Sequence, residues 1–316
     1  MSRLSELSSS PTLREFAQGA AQSSIMPVAD FLAPTVEVAT STGRFKKYSE
    51  KHRFHIPDTL RTLGGRASEL NFTVADDLYN CSPHALDYPV DNLEQLEAQG
   101  LENMLREGAI AVAEVAALAH EKSVIDAALA AVGAGDNKVW SSAADPVADV
   151  DDAILSVIKA AKYGSLMGVG VLFGASAWKV FKNQEKIRNR FVIGSGSGGP
   201  RGKLGLAVPT EDSAGQMFIG TPNVRTSYMI YDGASEGLEE DIQFLLDSTV
   251  LIFARKEAPT RRDPSFMKTF RLMNNFMVPG SYSRDDGRVE VAKFDWSEDV
   301  RVTNSAACVR LNISDS

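Results

Sequence analysis

The chain has 316 residues, 44% hydrophobic and 23% charged, enough to bury a sizeable core in one large domain or two smaller ones. Its net charge of −8 argues against a dedicated nucleic-acid binder, whose phosphate contacts demand a basic surface. Two cysteines, Cys81 and Cys308, are too few for a disulfide framework and read as buried thiols of a protein made in a reducing cytoplasm.

Residues 1–10 are polar and serine-rich, with no apolar run of signal-peptide type. The most apolar segment, 166–178, is short for a membrane span and broken by glycines, so a soluble protein is expected. Residues 1–35 read as an arm. Ser8-Ser9-Ser10-Pro11 breaks structure, 13–22 suits a short helix, and Pro27 and Pro34 keep the chain extended. Residues 36–38 alternate apolar and acidic side chains, as a strand does.

Residues 44–66 hold Arg44, Lys46, Lys47, Lys51, Arg53, Arg61 and Arg66 against Glu50 and Asp58, seven positive charges less two negative, or +5. Gly43, Pro57 and Gly64-Gly65 mark turns, and the segment predicts a long two-stranded excursion too polar for a core of its own. From 91 to about 132, apolar residues recur every three or four positions and predict a helix on the order of 60 Å long. Gly100 and Gly108 are expected to kink or split it. Its opening section is acidic, with Asp91, Glu94, Glu97, Glu102 and Glu107 against Arg106, five negative less one positive, or −4.

Beyond Asp145-Pro146 the pattern becomes mixed. Helices are expected at 151–163, 175–183 and 238–244, and strands at 167–173, 217–219, 227–231 and 249–254. A β-rich stretch follows at 266–273, 288–293 and 306–313.

Motifs for chemistry mostly fail. Gly194-Ser195-Gly196-Ser197-Gly198-Gly199 fits GxGxxG, but Pro200-Arg201-Gly202 follows where a dinucleotide site needs a helix N-terminus. Gly233-Ala234-Ser235-Glu236-Gly237 fits GxSxG between an expected strand and an expected helix, the strongest enzymatic signal in the chain. A hydrolase of that type needs its histidine after the serine. His52, His55, His84 and His120 all precede Ser235. No HExxH or CxxC occurs, and no cofactor, metal or catalytic residue is expected. Charge segregation is what remains. The +5 excursion complements the −4 helix start of a neighbouring copy, unless it is simply a solvated polar hairpin. A second basic run, Arg255, Lys256, Arg261, Arg262, Lys268 and Arg271, is expected to face nucleic acid or another subunit.

The order of parts resembles the Hong Kong 97-type major capsid proteins of tailed bacteriophages over nearly the whole chain. The resemblance is carried by Pro27-Val28-Ala29 entering the loop, Gly43-Arg44-Phe45-Lys46-Lys47-Tyr48 within it and Arg66-Ala67-Ser68 leaving it. It continues in Asp87-Tyr88-Pro89-Val90-Asp91, Phe173-Gly174-Ala175-Ser176-Ala177-Trp178 and Ile187-Arg188-Asn189-Arg190-Phe191. It implies an α+β fold with an N-terminal arm (1–35), an extended loop (36–75) and a peripheral domain holding the long helix (76–145). An axial domain (146–260), peripheral return strands (261–300) and an axial C-terminal strand (301–316) complete it. Such proteins are non-enzymatic and form hexamers and pentamers of an icosahedral shell around double-stranded DNA, in the virion and after assembly in the host cytoplasm. Portal, scaffolding and decoration proteins are the implied partners, with no membrane. On the charge segregation above, inter-subunit contacts fall to Arg44, Lys46, Lys47, Lys51, Arg53, Arg61 and Arg66, facing Asp91, Glu94, Glu97 and Glu102. Some members cross-link a loop lysine to an asparagine; Lys46, Lys47 or Lys51 and Asn304 or Asn312 are the residue types required, with no activating acid matched. The rival readings are an encapsulin-like nanocompartment shell, a serine hydrolase built on Ser235, and a DNA-binding accessory protein.

Overall fold

The computed structural model describes residues 28–48, 74–91, 101–161, 168–190, 209–235, 237–261, 263, 265–275, 278–284 and 287–315. The chain divides into two compact units. One draws on the segments Met1–Arg44, Leu78–Ala127 and Lys268–Arg301, the other on Phe45–Asp77, Ala128–Met267 and Val302–Ser316. The expected helix at 13–22, the glycine loop at 194–205 and the middle of the basic excursion lie outside the described residues.

The first unit opens with α1 (Val28–Leu32), whose Val28, Ala29, Phe31 and Leu32 are buried, and β1 (Thr35–Val38), the strand expected from its alternation. The excursion, whose residues 45–77 fall in the second unit, starts and returns as β2 (Thr42–Tyr48) and β3 (Val74–Asn80), which pair as a two-stranded sheet. Next come β4 (Ser82–Asp91) and the long helix α2 (Leu101–Val132). At 32 residues, α2 is about 48 Å long. It runs unbroken through Gly108, contrary to the expected kink. A Cβ at Gly108 would collide with the Tyr88 ring of β4, so this glycine serves the close approach of helix to strand. Val112, Ala113 and Ala116 of α2 bury against Phe294 and Trp296, with Leu86, Tyr88 and Ala292 around them. Those aromatics belong to β13 (Val289–Val302), the centre of a sheet ordered β1-β11-β13-β12 in which β4 also pairs with β13. Here β11 is Met267–Leu272 and β12 is Val278–Arg284. β1 lies parallel to β11, from Thr35 opposite Thr269 to Val38 opposite Leu272.

The second unit is built on the sheet β5-β14-β10-β6-β7. Its strands are Asp136–Val139, Cys308–Ser314, Thr249–Arg255, Gly168–Gly174 and Asn223–Ser227 in that order. β10 is antiparallel to β14 and β6, while β6–β7 and β14–β5 are parallel. Residues 250–254 are buried without alternation, as in a strand covered on both faces. Cover comes from α3 (Pro146–Ala161) and α4 (Ala175–Asn183), which pack against the sheet. α3 starts five residues earlier than expected, because proline is well placed in a first helical turn, where its missing N–H costs nothing. α4 matches its expected bounds. It leaves β6 through Gly174, where a Cβ would strike the Asp247 carbonyl.

Three local expectations fail. The strand expected at 227–231 is broken at Tyr228-Met229, with β7 ending at Ser227 and a short strand resuming at Ile230. Residues 211–217 form the helix α6 (Glu211–Met217), after α5 (Glu185–Arg190), where a strand was expected to begin at 217. Thr210 accepts from the Ser213 amide while the Ser213 hydroxyl accepts from the Thr210 amide, a reciprocal cap that fixes the helix start. Residues 238–244 are not helical. β8 (Ile230–Asp232) and β9 (Ile242–Phe244) form an antiparallel hairpin, because Ile242-Gln243-Phe244 alternates and pairs with Ile230-Tyr231-Asp232.

Candidate assembly surfaces

Of the basic excursion, Arg44 is exposed on β2 beside buried Phe45, and Lys46 and Lys47 follow on the same strand. Lys51, Arg53, Arg61 and Arg66 lie outside the described residues, as do Glu94 and Glu97. Glu102 stands in the first turn of α2. Asp91 corrects the expectation. It closes β4 opposite Val289 and is not part of a helix, since β4 extends through Tyr88-Pro89-Val90 along β13.

The second basic run does not form one surface. Lys268 is 0% exposed within β11, and Arg271 is half buried with its Nη2 donating to Glu298 Oε2 at 3.0 Å. Arg261 is exposed, and Arg262 is outside the described residues. β11 is buried on both faces from Met267 to Phe270, so Lys268 is taken inward whichever way it points.

The sequence reading missed a polar cluster on α2. Glu298 of β13 is held at both oxygens, by Arg271 and, at 2.9 Å, by His120 Nδ1. Burial alone would raise its pKa, yet the hydrogen bond and charge of His120, with the Arg271 guanidinium, hold it down at about 2. Next on the helix, Glu121 is 2% exposed and its Oε1 accepts from the Ala29 amide of α1 at 2.8 Å. Oε2 has no hydrogen-bond partner among the described residues. Burial pushes Glu121 up to about 7, against the Ala29 and Val28 amides and His120, which favour the charge, and with Asp30, which opposes it. The only sequence signal was His120-Glu121 interrupting an apolar periodicity.

A carboxyl raised from about 4.5 to about 7 favours the folded state fully below pH 4.5 and loses that contribution as pH rises through 7. Glu121→Gln keeps an acceptor for the Ala29 amide and removes the titration. Denaturant unfolding between pH 4 and 8 is expected to show a flatter stability profile for the variant, by up to about 3 kcal/mol across this window. A slope equal to wild type would remove Glu121 as its source.

Ser235 is exposed in the connection between β8 and β9. Asp232 accepts from the amides of Ala234 and Asp241 there, which shapes the turn and holds its carboxyl below the usual range. The strand–turn–helix setting that exposes a hydrolase serine is therefore missing. The same hairpin is rich in uncovered apolar side chains: Tyr228, Ile230, Leu238, Ile242 and Phe244 are all exposed. Elsewhere in the second unit, a cleft of about 330 Å³ runs along α4, lined by Trp140, Ser176, Lys179, Val180, Asn183 and Gln184 among others.

Cys81 and Cys308 are both free and buried, and burial raises both thiols. Of the two asparagines named for cross-linking, Asn312 donates its side-chain amide to the Ala134 carbonyl and to Asn137 Oδ1.

No protein-family model matches the chain, and no curated protein matches it by sequence. Solved structures do match. A phage-related protein from Bordetella bronchiseptica RB50 superposes with a TM-score of 0.68 at 18% identity, over 96% of each chain. The SrpI encapsulin of Synechococcus elongatus PCC 7942 gives 0.55 at 11% identity, over 91% of this chain and 88% of that one. The mature capsid of bacteriophage PhiM1 gives 0.52 at 12% identity, over 89% and 85%. The chain has the α+β fold of the Hong Kong 97-like capsid proteins.

Proposed function

We propose that the chain is the major capsid protein of a tailed bacteriophage, a subunit that assembles with copies of itself into hexamers and pentamers of an icosahedral shell around double-stranded DNA. The reading is carried by the match to a phage-related protein along 96% of both chains. A net charge of −8 suits the task, since packaged DNA must not adhere to the inner wall. On this reading residues 1–35 are the arm, 36–75 the extended loop, 76–145 with 261–300 the peripheral domain, and 146–260 with 301–316 the axial domain. Arg44, Lys46, Lys47, Lys51, Arg53, Arg61 and Arg66 of one copy then face Asp91, Glu94, Glu97 and Glu102 of the next, fixing register more than affinity. Portal, scaffolding and decoration proteins would be its partners, in a virion assembled in the host cytoplasm, and the role is structural and non-enzymatic.

A nanocompartment shell enclosing protein is the second reading, favoured by the encapsulin match at a TM-score of 0.55. Expression of the chain with and without DNA, followed by sizing chromatography and negative-stain microscopy, tests both. Closed shells or capsomer rings are expected. Shells filled with nuclease-protected DNA fit a phage capsid, and shells filled with host protein fit a nanocompartment. A monomer that never assembles, at high concentration or with phage lysate added, overturns both.

A further inference from the structure

We propose that the β8–β9 hairpin of one copy docks on the α4–α5 face of a neighbouring copy, its apolar ribbon and acidic tip meeting a basic helical surface. The inference rests on the shell reading and assigns it a specific contact within the second unit.

Among the described residues, five of the twelve large hydrophobic side chains left exposed lie on this hairpin or its flanks. Strand pairing sets them in order. Ile230 lies opposite Phe244 and Ile242 opposite Asp232, so Ile230, Ile242 and Phe244 share one face. Tyr231 and Gln243 take the other face, where the Tyr231 hydroxyl donates to Gln243 Oε1 at 3.3 Å. A two-stranded ribbon has marginal stability in water by itself, and an uncovered apolar face on it marks a surface that something else covers. Leu238, at the tip, is 72% exposed.

Charge identifies the occupant. From 226 to 254 the sequence carries six acids, Asp232, Glu236, Glu239, Glu240, Asp241 and Asp247, and no Lys, Arg or His. Glu239, Glu240 and Asp241 are exposed at the tip. Residues 175–190 reverse the sign, with Lys179, Lys182, Lys186, Arg188 and Arg190 against Glu185 alone. Lys179, Lys186 and Arg188 are exposed; the cleft along α4 opens beside Lys179 with Trp140 and Val180 in its lining, where Glu185 and Asp315 are the acids the basic side chains outnumber on this face. Among the described residues no ion pair joins Lys179 or Arg188 to an acid, or Glu239 or Glu240 to a base. Every copy therefore carries one acidic-apolar surface and one basic surface, complementary and different. That is the requirement for a heterologous contact that propagates around a ring, where like-charge pairing is suppressed.

Charge exchange tests this. The full chain is produced as wild type, as Glu239→Lys/Glu240→Lys, as Lys179→Glu/Arg188→Glu, and with all four changes. Each is followed by sizing chromatography and negative-stain microscopy, with thermal melting to confirm folding. Either reversal alone is expected to lower the assembled fraction roughly tenfold or more, and the combined variant to restore it. Wild-type shells accompanied by unimpaired single reversals, or by a combined variant that stays dissociated, overturn the docking while leaving the shell reading intact. A wild type that never assembles removes the shell reading and the docking with it.

Discussion

Replacing Phe181 with alanine is expected to destabilise the second unit by about 3–5 kcal/mol, read as a drop in the urea midpoint at unchanged m-value. Phe181 is fully buried on α4 and is the common neighbour of four aromatic side chains. Its ring centroid lies 5.2 Å from Phe173 of β6, 5.6 Å from Trp178, 5.8 Å from Phe218 and 6.0 Å from Trp140. Tilted and offset pairs of this kind add to area burial, and truncation removes all four at once. Packing of α4 on the sheet depends on this cluster, so Phe181→Leu, which fills part of the space, is expected to cost less than half as much. Equal losses for leucine and alanine would show that the ring contacts, which both variants lose, set the cost, and not the volume filled.

Glu298→Ala is expected to cost about 3–5 kcal/mol by removing the buried carboxylate that binds both the Arg271 guanidinium and His120. The pH profile separates charge from packing. With its folded pKa held at about 2, Glu298 contributes stability that is present above pH 4.5 and fades as pH falls through 2. Glu121 works in the opposite sense and in a different window, between 4.5 and 7. Acid unfolding of wild type, Glu298→Gln and Glu121→Gln therefore separates two neighbouring carboxyls by pH range alone. A Glu298→Gln variant with the acid limb of wild type would refute the assignment.

Periodicity made the helices legible where one face is buried and the other wet. It placed α4 at its bounds and found most of α2 and α3. The continuous apolar run of β10 was equally plain, because a strand covered on both faces has no polar positions to confuse it. The hairpin was misread because Leu238 and Ile242 are four residues apart, which imitates a helical face when the pairing partner, Ile230-Tyr231-Asp232, is ignored. Strand pairing is non-local, and one sequence does not reveal it. Lys268 and Arg271 failed for a related reason, since a window of charges cannot show that another layer covers them. Of the candidate surfaces, the charge segregation was readable, but the exposed apolar face of β8–β9 became visible only once its strands were paired.

The strand orders carry a consequence for synthesis. β14, residues 308–314, lies between β5 and β10, and β13, residues 289–302, is the centre of the other sheet. Neither sheet can close until those residues have left the ribosome, about 3–12 s after β10 is made at ordinary elongation rates. A half-made chain therefore lacks the scaffold that would present its sticky hairpin to others. Translation itself therefore acts as a clock for both sheets, which close only in the order in which these two strands are made.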